Sequence, residues 1–201
     1  CEDGTMFGEE YTLVAVADYV LSNNRGNTVS NLSSTRALRD ITIKHKGIYE
    51  SSAVGEVNVV EKMKAVNAII GGEGNGGVIF PELHYGRDAI IGIALFLTHL
   101  ASKSISVREL RNSYPNYFIS KNKMLLNQDI DIDKILSVLQ NKYRLEKTTN
   151  IDGLKIDFSD GWVHLRKSNT EPVIRIYAES EGKEKAEKFA QMMINEVKAL
   201  I

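Results

Sequence analysis

Val57-Asn58-Val59-Val60-Glu61-Lys62-Met63-Lys64-Ala65-Val66, followed by Ala68-Ile69-Ile70 and the run Gly71-Gly72-Glu73-Gly74-Asn75-Gly76-Gly77, decides the architecture of this chain. Apolar residues at Val57, Val60, Met63 and Val66 recur at helical spacing. Ala68-Ile69-Ile70 reads as a short buried strand that ends in a glycine-rich loop. A helix passing directly into a buried strand is one step of an α/β layer fold. The alternation extends in both directions. Upstream, Glu9–Leu21 carries apolar residues at helical spacing and Thr28–Leu32 is short and β-prone. Ser33-Ser34-Thr35 offers oxygens to cap a helix reaching about Lys44, and Gly47–Ser51 reads as a strand. Downstream, Asp88–Ala101 is a helix, read as buried. These elements predict an α/β layered domain with a mixed, largely parallel sheet, residues 1–112.

The pattern changes after Leu110. Asn112–Lys123 has Pro115 and no clear period, and reads as a linker. Asp129–Tyr143 follows as a helix with Ile132, Ile135, Leu136, Leu139 and Tyr143 on one face. Leu154, Ile156 and Phe158 alternate with Lys155 and Asp157, as in a half-buried strand. Asp160-Gly161 signals a hairpin into Trp162–Arg166. The loop Lys167–Pro172 leads to the β-prone run Val173–Ala178 and a last helix, Lys183–Ile201. Residues 113–201 therefore read as a small α+β domain with an antiparallel sheet.

The 201 residues carry 25 Lys+Arg against 26 Asp+Glu, a net charge of -1. That balance argues against a dedicated nucleic-acid binder, which needs a basic excess to displace counterions from phosphates. A hydrophobic fraction of 43% rules out disorder as the dominant state. The longest apolar run, Ala89–Leu100, falls short of the roughly 20 residues that cross a bilayer. One cysteine allows no internal disulfide and no cysteine metal cluster, and a reducing cytoplasm is the simplest setting. Cys1-Glu2-Asp3-Gly4 has no signal-peptide character, and the missing initiator Met suggests a fragment.

Two polar loops carry chemistry. In Gly71–Gly77, five glycines let the backbone approach a ligand closely. Glu73 can accept hydrogen bonds from two neighbouring hydroxyls, and Asn75 offers donor and acceptor. This suits a sugar, since Glu73 would repel a phosphate. The spacing is neither a Walker A loop nor a dinucleotide fingerprint. A plain turn is the alternative. In Arg166-Lys167-Ser168-Asn169-Thr170-Glu171-Pro172, with Arg175 beyond, two guanidinium groups, two hydroxyls, an amide and backbone N–H groups could converge on one anion. The charge is local, so a small phosphorylated ligand fits better than a polymer. The alternative is a solvated loop with Arg175 paired to Glu179 or Glu171.

Together the loops resemble the α-D-phosphohexomutase superfamily of phosphomannomutases, phosphoglucomutases and phosphoglucosamine mutases. Gly71–Gly76 matches the family's Gly-Gly-Glu-x-Ser/Asn-Gly sugar loop, and Arg166–Pro172 with Arg175 matches its Arg-x-Ser-Asn/Gly-Thr-Glu-Pro phosphate loop. Val54-Gly55-Glu56-Val57-Asn58-Val59 resembles the segment upstream of the sugar loop. The resemblance covers nearly the whole chain and implies the third and fourth of four domains, with a phosphoserine and an Asp-x-Asp-x-Asp-Arg Mg²⁺ loop in the first two. Glu2-Asp3-Gly4 resembles the residues after that metal loop. Asp129-Ile130-Asp131-Ile132-Asp133 lacks its arginine and reads as a helix N-terminus, so no metal ligands are assigned.

What the resemblance implies is interconversion of hexose 6-phosphate and hexose 1-phosphate through a hexose 1,6-bisphosphate. Gly72, Glu73, Asn75 and Gly76 would contact the sugar, and Arg166, Ser168, Asn169, Thr170 and Arg175 the phosphate. The partners would be a phosphosugar and the N-terminal domains, with no nucleic acid and no membrane. The fragment alone would be inactive. Many bacterial relatives carry His where Gly77 stands; His84 could supply an imidazole instead, or simply pack at the surface. His45, His99 and His164 read as structural. Ligand binding is expected to close the smaller domain onto the larger. A non-catalytic sugar-phosphate-binding module is the rival reading.

Overall fold

The computed structural model describes residues 1–125, 130–168 and 171–201. The chain divides into two compact units, Cys1–Asn116 and Tyr117–Ile201.

The first unit contains, in order, α1 (Glu9–Asn23), β1 (Asn27–Asn31), α2 (Ala37–Lys44), β2 (Tyr49–Ser52), α3 (Glu56–Ala65), β3 (Ala68–Glu73), β4 (Gly77–Ile79), α4 (Ala89–Lys103) and α5 (Val107–Asn112). Its sheet has the order β2-β1-β3-β4. β1 pairs in parallel with β2 and β3, and β4 closes the edge antiparallel to β3. Helices cover both faces, because successive strand residues point opposite ways. Val29 clusters with Val59 and Met63 of α3. Its neighbour Thr28 points to the other face and hydrogen-bonds Thr42 of α2 at 2.6 Å.

Helix α3 keeps the expected period, and most of the expected stripe faces the core: Met63 is fully buried, and Val60 and Val66 pack partly buried against the same cluster. Val57 is the exception at 70% exposed, and Val59 is fully buried in its place. Residues spaced by three drift off a 3.6-residue face, while an i, i+4 pair stays on it. Position Arg36 caps α2, with no side-chain hydrogen bond. Of the expected capping run Ser33-Ser34-Thr35, Thr35 Oγ1 accepts from the Ala37 amide at 3.2 Å, while Ser34 spends its hydroxyl on Asn31 and on the backbone of Gly74. Helix α4 is not buried as expected: Ile90, Ile93 and Leu97 lie 57–80% exposed along one side. The other side packs on α1, and Asp88 caps the helix by accepting from the amides of Ile90 and Ile91. Among the described residues no helix is long and apolar enough to cross a membrane. Ser106 and Glu109 form a reciprocal capping box that starts α5.

The second unit contains β5 (Phe118–Leu125), α6 (Ile132–Lys142), β6 (Lys147–Thr149), β7 (Leu154–Phe158), β8 (Gly161–Lys167), β9 (Val173–Ser180) and α7 (Lys183–Ala199). Its sheet, β5-β9-β8-β7-β6, is antiparallel throughout. Strand β5 occupies much of the expected linker. Its lysines and asparagine conceal the alternation, as befits an edge strand kept from pairing further. Asp131 caps α6 by accepting from the Lys134 amide, so that acidic run starts a helix; Asp129 lies outside the described residues. Helices α6 and α7 bury Ile132, Ile135, Leu139, Ala190, Met193 and Val197 against Leu154, Ile156, Val163, Leu165, Ile174, Ile176 and Ala178. Strand alternation therefore sends Lys155, Trp162, His164, Arg166, Arg175 and Glu179 to the opposite face of the sheet.

Candidate functional site

In the first unit, the glycine-rich run is a β-hairpin rather than a strand-to-helix turn. Glu73 pairs with Gly77, and the Gly76 amide donates to the Glu73 carbonyl at 3.2 Å. Gly76 has φ +84°, the left-handed residue that ends a three-residue hairpin loop. A Cβ on Gly72 would stand 1.9 Å from the Gly77 carbonyl oxygen, so that position excludes any side chain. Asn75 is exposed at the tip, and its Oδ1 accepts from the Gly77 amide at 3.1 Å.

Glu73 is only 6% exposed. Its Oε1 accepts from Asn31 Nδ2 at 2.8 Å and from the Gly55 amide at 3.2 Å, while Oε2 lies 3.7 Å from Arg87 Nη1. The carboxylate is thereby aimed by β1, by the start of α3 and by the segment before α4. Neither Asn31 nor Arg87 is singled out by the sequence. Gly55 lies in the Val54–Val59 segment that the sequence marks, although nothing local shows that its amide meets Glu73.

The space beside Gly77 belongs to Arg87. A Cβ on Gly77 would sit 2.7 Å from Arg87 Cδ. Arg87 donates from Nε and from its amide to Glu56, at 2.8 and 3.1 Å. Those bonds hold the Glu56 carboxyl below its usual range. His84 instead meets Asp88, Nε2 to Oδ2, at 3.0 Å. Asp88 is held below the usual carboxylate range by the Ile91 amide and by His84.

His45 and His99, read as structural, bracket a buried carboxylate. Asp18 on α1 takes His45 Nε2 at 2.7 Å, and His99 Nε2 and the Tyr114 hydroxyl at 3.2 Å each. Burial pushes Asp18 upward, but the hydrogen bonds from His99 and His45 and the charge of Lys103 outweigh it and hold the carboxyl far below its usual range. Tyr114 is pushed well up, by burial first and then by the Asp18 charge.

In the second unit, Arg166 on β8 stands directly opposite Arg175 on β9. Their carboxylate neighbours are distant for charge-assisted bonds: Arg166 Nη1 to Asp152 Oδ2 and Arg175 Nη2 to Glu171 Oε2, both 3.4 Å. Arg175 Nε is buried and has no hydrogen-bond acceptor among the described residues. Ser168 is buried, and its amide donates to Val173 at 3.0 Å, closing the base of the loop. Asn169 and Thr170 lie outside the described residues. Glu179, the other expected partner of Arg175, accepts from the buried Trp162 indole at 2.6 Å. His164 is pulled down to about 4 by burial. It is therefore neutral at pH 7, and its Nε2–H donates to the Asp152 carbonyl at 2.7 Å. Among the described residues no group of three His, Cys, Asp or Glu side chains could hold a metal ion, so no step through Mg²⁺ is derived from this chain.

A family model described as phosphoglucomutase/phosphomannomutase, alpha/beta/alpha domain III, matches residues 8–117, and that of the phosphoglucomutase/phosphomannomutase C-terminal domain matches residues 124–196. A phosphoglucomutase/phosphomannomutase of Thermococcus kodakarensis is 34% identical over 197 residues, covering 96% of this chain and 42% of the relative. A phosphoglucosamine/phosphogalactosamine mutase of Sulfurisphaera tokodaii is 34% identical over 175 residues, covering 86% of this chain and 38% of the relative. The chain thus spans less than half the length of these curated relatives. Among solved structures, a phosphoglucomutase/phosphomannomutase family protein from Burkholderia thailandensis superposes with a TM-score of 0.78 at 24% identity, covering 98% of this chain and 43% of that one; it shows the fold.

Proposed function

Because this chain belongs to the phosphoglucomutase/phosphomannomutase family, we propose that it supplies the sugar grip and the phosphate grip of a phosphohexomutase. The intact enzyme would interconvert hexose 6-phosphate and hexose 1-phosphate. One observation carries the phosphate assignment. Two arginines face each other across β8 and β9, loosely paired, with the buried Arg175 Nε lacking an acceptor among the described residues. Like charges directly opposite cost stability. A dianion would relieve that cost and accept a hydrogen bond from that Nε–H.

The route the family implies needs a phosphoserine donor and a bisphosphosugar that reorients between transfers, both supplied outside these residues. This chain's groups would do no bond-breaking. Arg166 and Arg175, with Ser168, Asn169 and Thr170 in the loop, would hold whichever phosphate is not reacting. Guanidinium donors bind such a group without attacking it. Glu73, already aimed by Asn31 and Gly55, would accept from paired sugar hydroxyls through the remaining lone pairs of its carboxylate, with Asn75 beside it. Binding energy from the idle phosphate would then orient the reacting end.

Calorimetry of the 201-residue chain with glucose 6-phosphate tests this. The unchanged protein should bind, and Arg166→Ala should weaken binding about tenfold or more, as expected for a charged hydrogen-bonding group. Equal binding by both would refute the phosphate role. The family members named above include glucose, mannose and hexosamine phosphate mutases. Assay of the full-length protein on mannose, glucose and glucosamine 1-phosphates selects among these sugars.

A further inference from the structure

The strand register carries the phosphate site beyond the motif. In the β5–β9 pairing, Lys123 stands directly opposite Arg175, and Arg175 stands directly opposite Arg166. Residues directly opposite in antiparallel strands share a face of the sheet. Lys123, Arg175 and Arg166 therefore form one cross-strand row of three cations. Adjacent strands lie about 4.8 Å apart, so the row spans about 10 Å, within reach of three long side chains converging on one group.

Among the described residues no carboxylate balances the charge of that row at close range. Glu171 lies 3.9 Å from Lys123 and 3.4 Å from Arg175, and Asp152 lies 3.4 Å from Arg166. Two carboxylates thus serve three cations, all at distances longer than the roughly 2.7–2.9 Å of good charged pairs. Lys123 is 65% exposed, so its ammonium is available to a ligand. The buried Arg175 Nε, at the centre of the row, has no acceptor among the described residues.

We propose that Lys123 is a third cationic ligand of the phosphate monoester bound by Arg166 and Arg175, supplied by an edge strand outside the loop motif. The proposal rests on the reading that those arginines bind phosphate. The guanidinium forks fix the geometry of the dianion, and the ammonium adds a compact charge from the β5 side.

The test is calorimetry of the 201-residue chain with glucose 6-phosphate and, separately, inorganic phosphate, comparing Lys123→Gln, Lys123→Arg and Arg166→Gln. Lys123→Gln should raise Kd about fivefold for both ligands, Lys123→Arg should stay within about twofold, and the loss should shrink at high salt. Thermal unfolding adds a signature that a packing role would not produce. Without phosphate, Lys123→Gln should melt no lower than the unchanged protein, while its phosphate-induced rise in Tm should be smaller. Unchanged affinity in Lys123→Gln, or Lys123→Arg binding as weakly as Lys123→Gln, would overturn the role of Lys123. If Arg166→Gln still lost binding, the phosphate reading would stand. No binding by the unchanged protein would overturn both.

Discussion

The Glu73 hairpin and the arginine row solve opposite problems. Glu73 is buried and already committed to Asn31 and Gly55 at ordinary hydrogen-bond distances. The arginines face one another across a strand pair, with carboxylates at 3.4 Å and one donor unmet among the described residues. The hairpin is a finished piece of structure with a carboxylate showing. The row is locally frustrated, and a bound dianion would complete it. A close-packed site should therefore lose stability when altered, and a frustrated one should lose mainly affinity.

The largest effect is expected where the hairpin backbone is tightest. Gly72→Ala places a Cβ 1.9 Å from the Gly77 carbonyl oxygen. Urea denaturation should show a loss of about 3 kcal/mol or more, because backbone rather than a flexible side chain must move. A variant as stable as the parent would break the picture of a finished hairpin.

Next in size is a pH effect in the second unit. His164 is buried and neutral, with its pKa pulled down to about 4. The unfolded chain binds that proton first, near pH 6.5, so stability is full above that value and falls as pH drops towards 4. The span corresponds to roughly 3 kcal/mol at 1.36 kcal/mol per unit. Stability measured from pH 7 to 4.5 should show this slope, and His164→Gln should flatten it. An unaltered slope would detach His164 from the turn that sets Asp152 beside Arg166.

The smallest pair of effects sharpens the contrast directly. Glu73→Ala strands the buried Asn31 donor and the part-buried Gly55 amide and should cost about 2 kcal/mol in ligand-free protein. Arg175→Gln removes one of two opposed cations and should cost less than about 0.5 kcal/mol, or add stability. Chemical denaturation without phosphate decides, and equal losses would erase the distinction.

Much of this was legible in the residues. The helix-to-strand step at Val57–Ile70, the alternation at Leu154–Phe158 and the Asp160-Gly161 hairpin all act within a few residues, where hydrogen bonding and side-chain direction repeat regularly. Strand β5 was hidden because an edge strand with lysines carries little apolar alternation. In α3, Val60, Met63 and Val66 face the core as their spacing predicts, whereas packing against Val29 and Ile79 takes in Val59 and leaves Val57 exposed.

The site divides the same way. Residue type alone marked Glu73 as a hydroxyl acceptor and Arg166 and Arg175 as anion donors. Arg87 beside Gly77 was not visible, since a ten-residue excursion returns it there. His45 and His99 at Asp18 were not visible either, lying 27 and 81 residues away along the chain.

What the sequence determined by itself is the chemistry of each loop and the period of each element, because both are local. Which strand residues stand opposite one another, and hence that Lys123 joins Arg175 and Arg166, was decided only by tertiary structure. Register follows from burying the α6 and α7 side of the sheet as a whole; shifting a strand by one residue would turn its core residues to the opposite face.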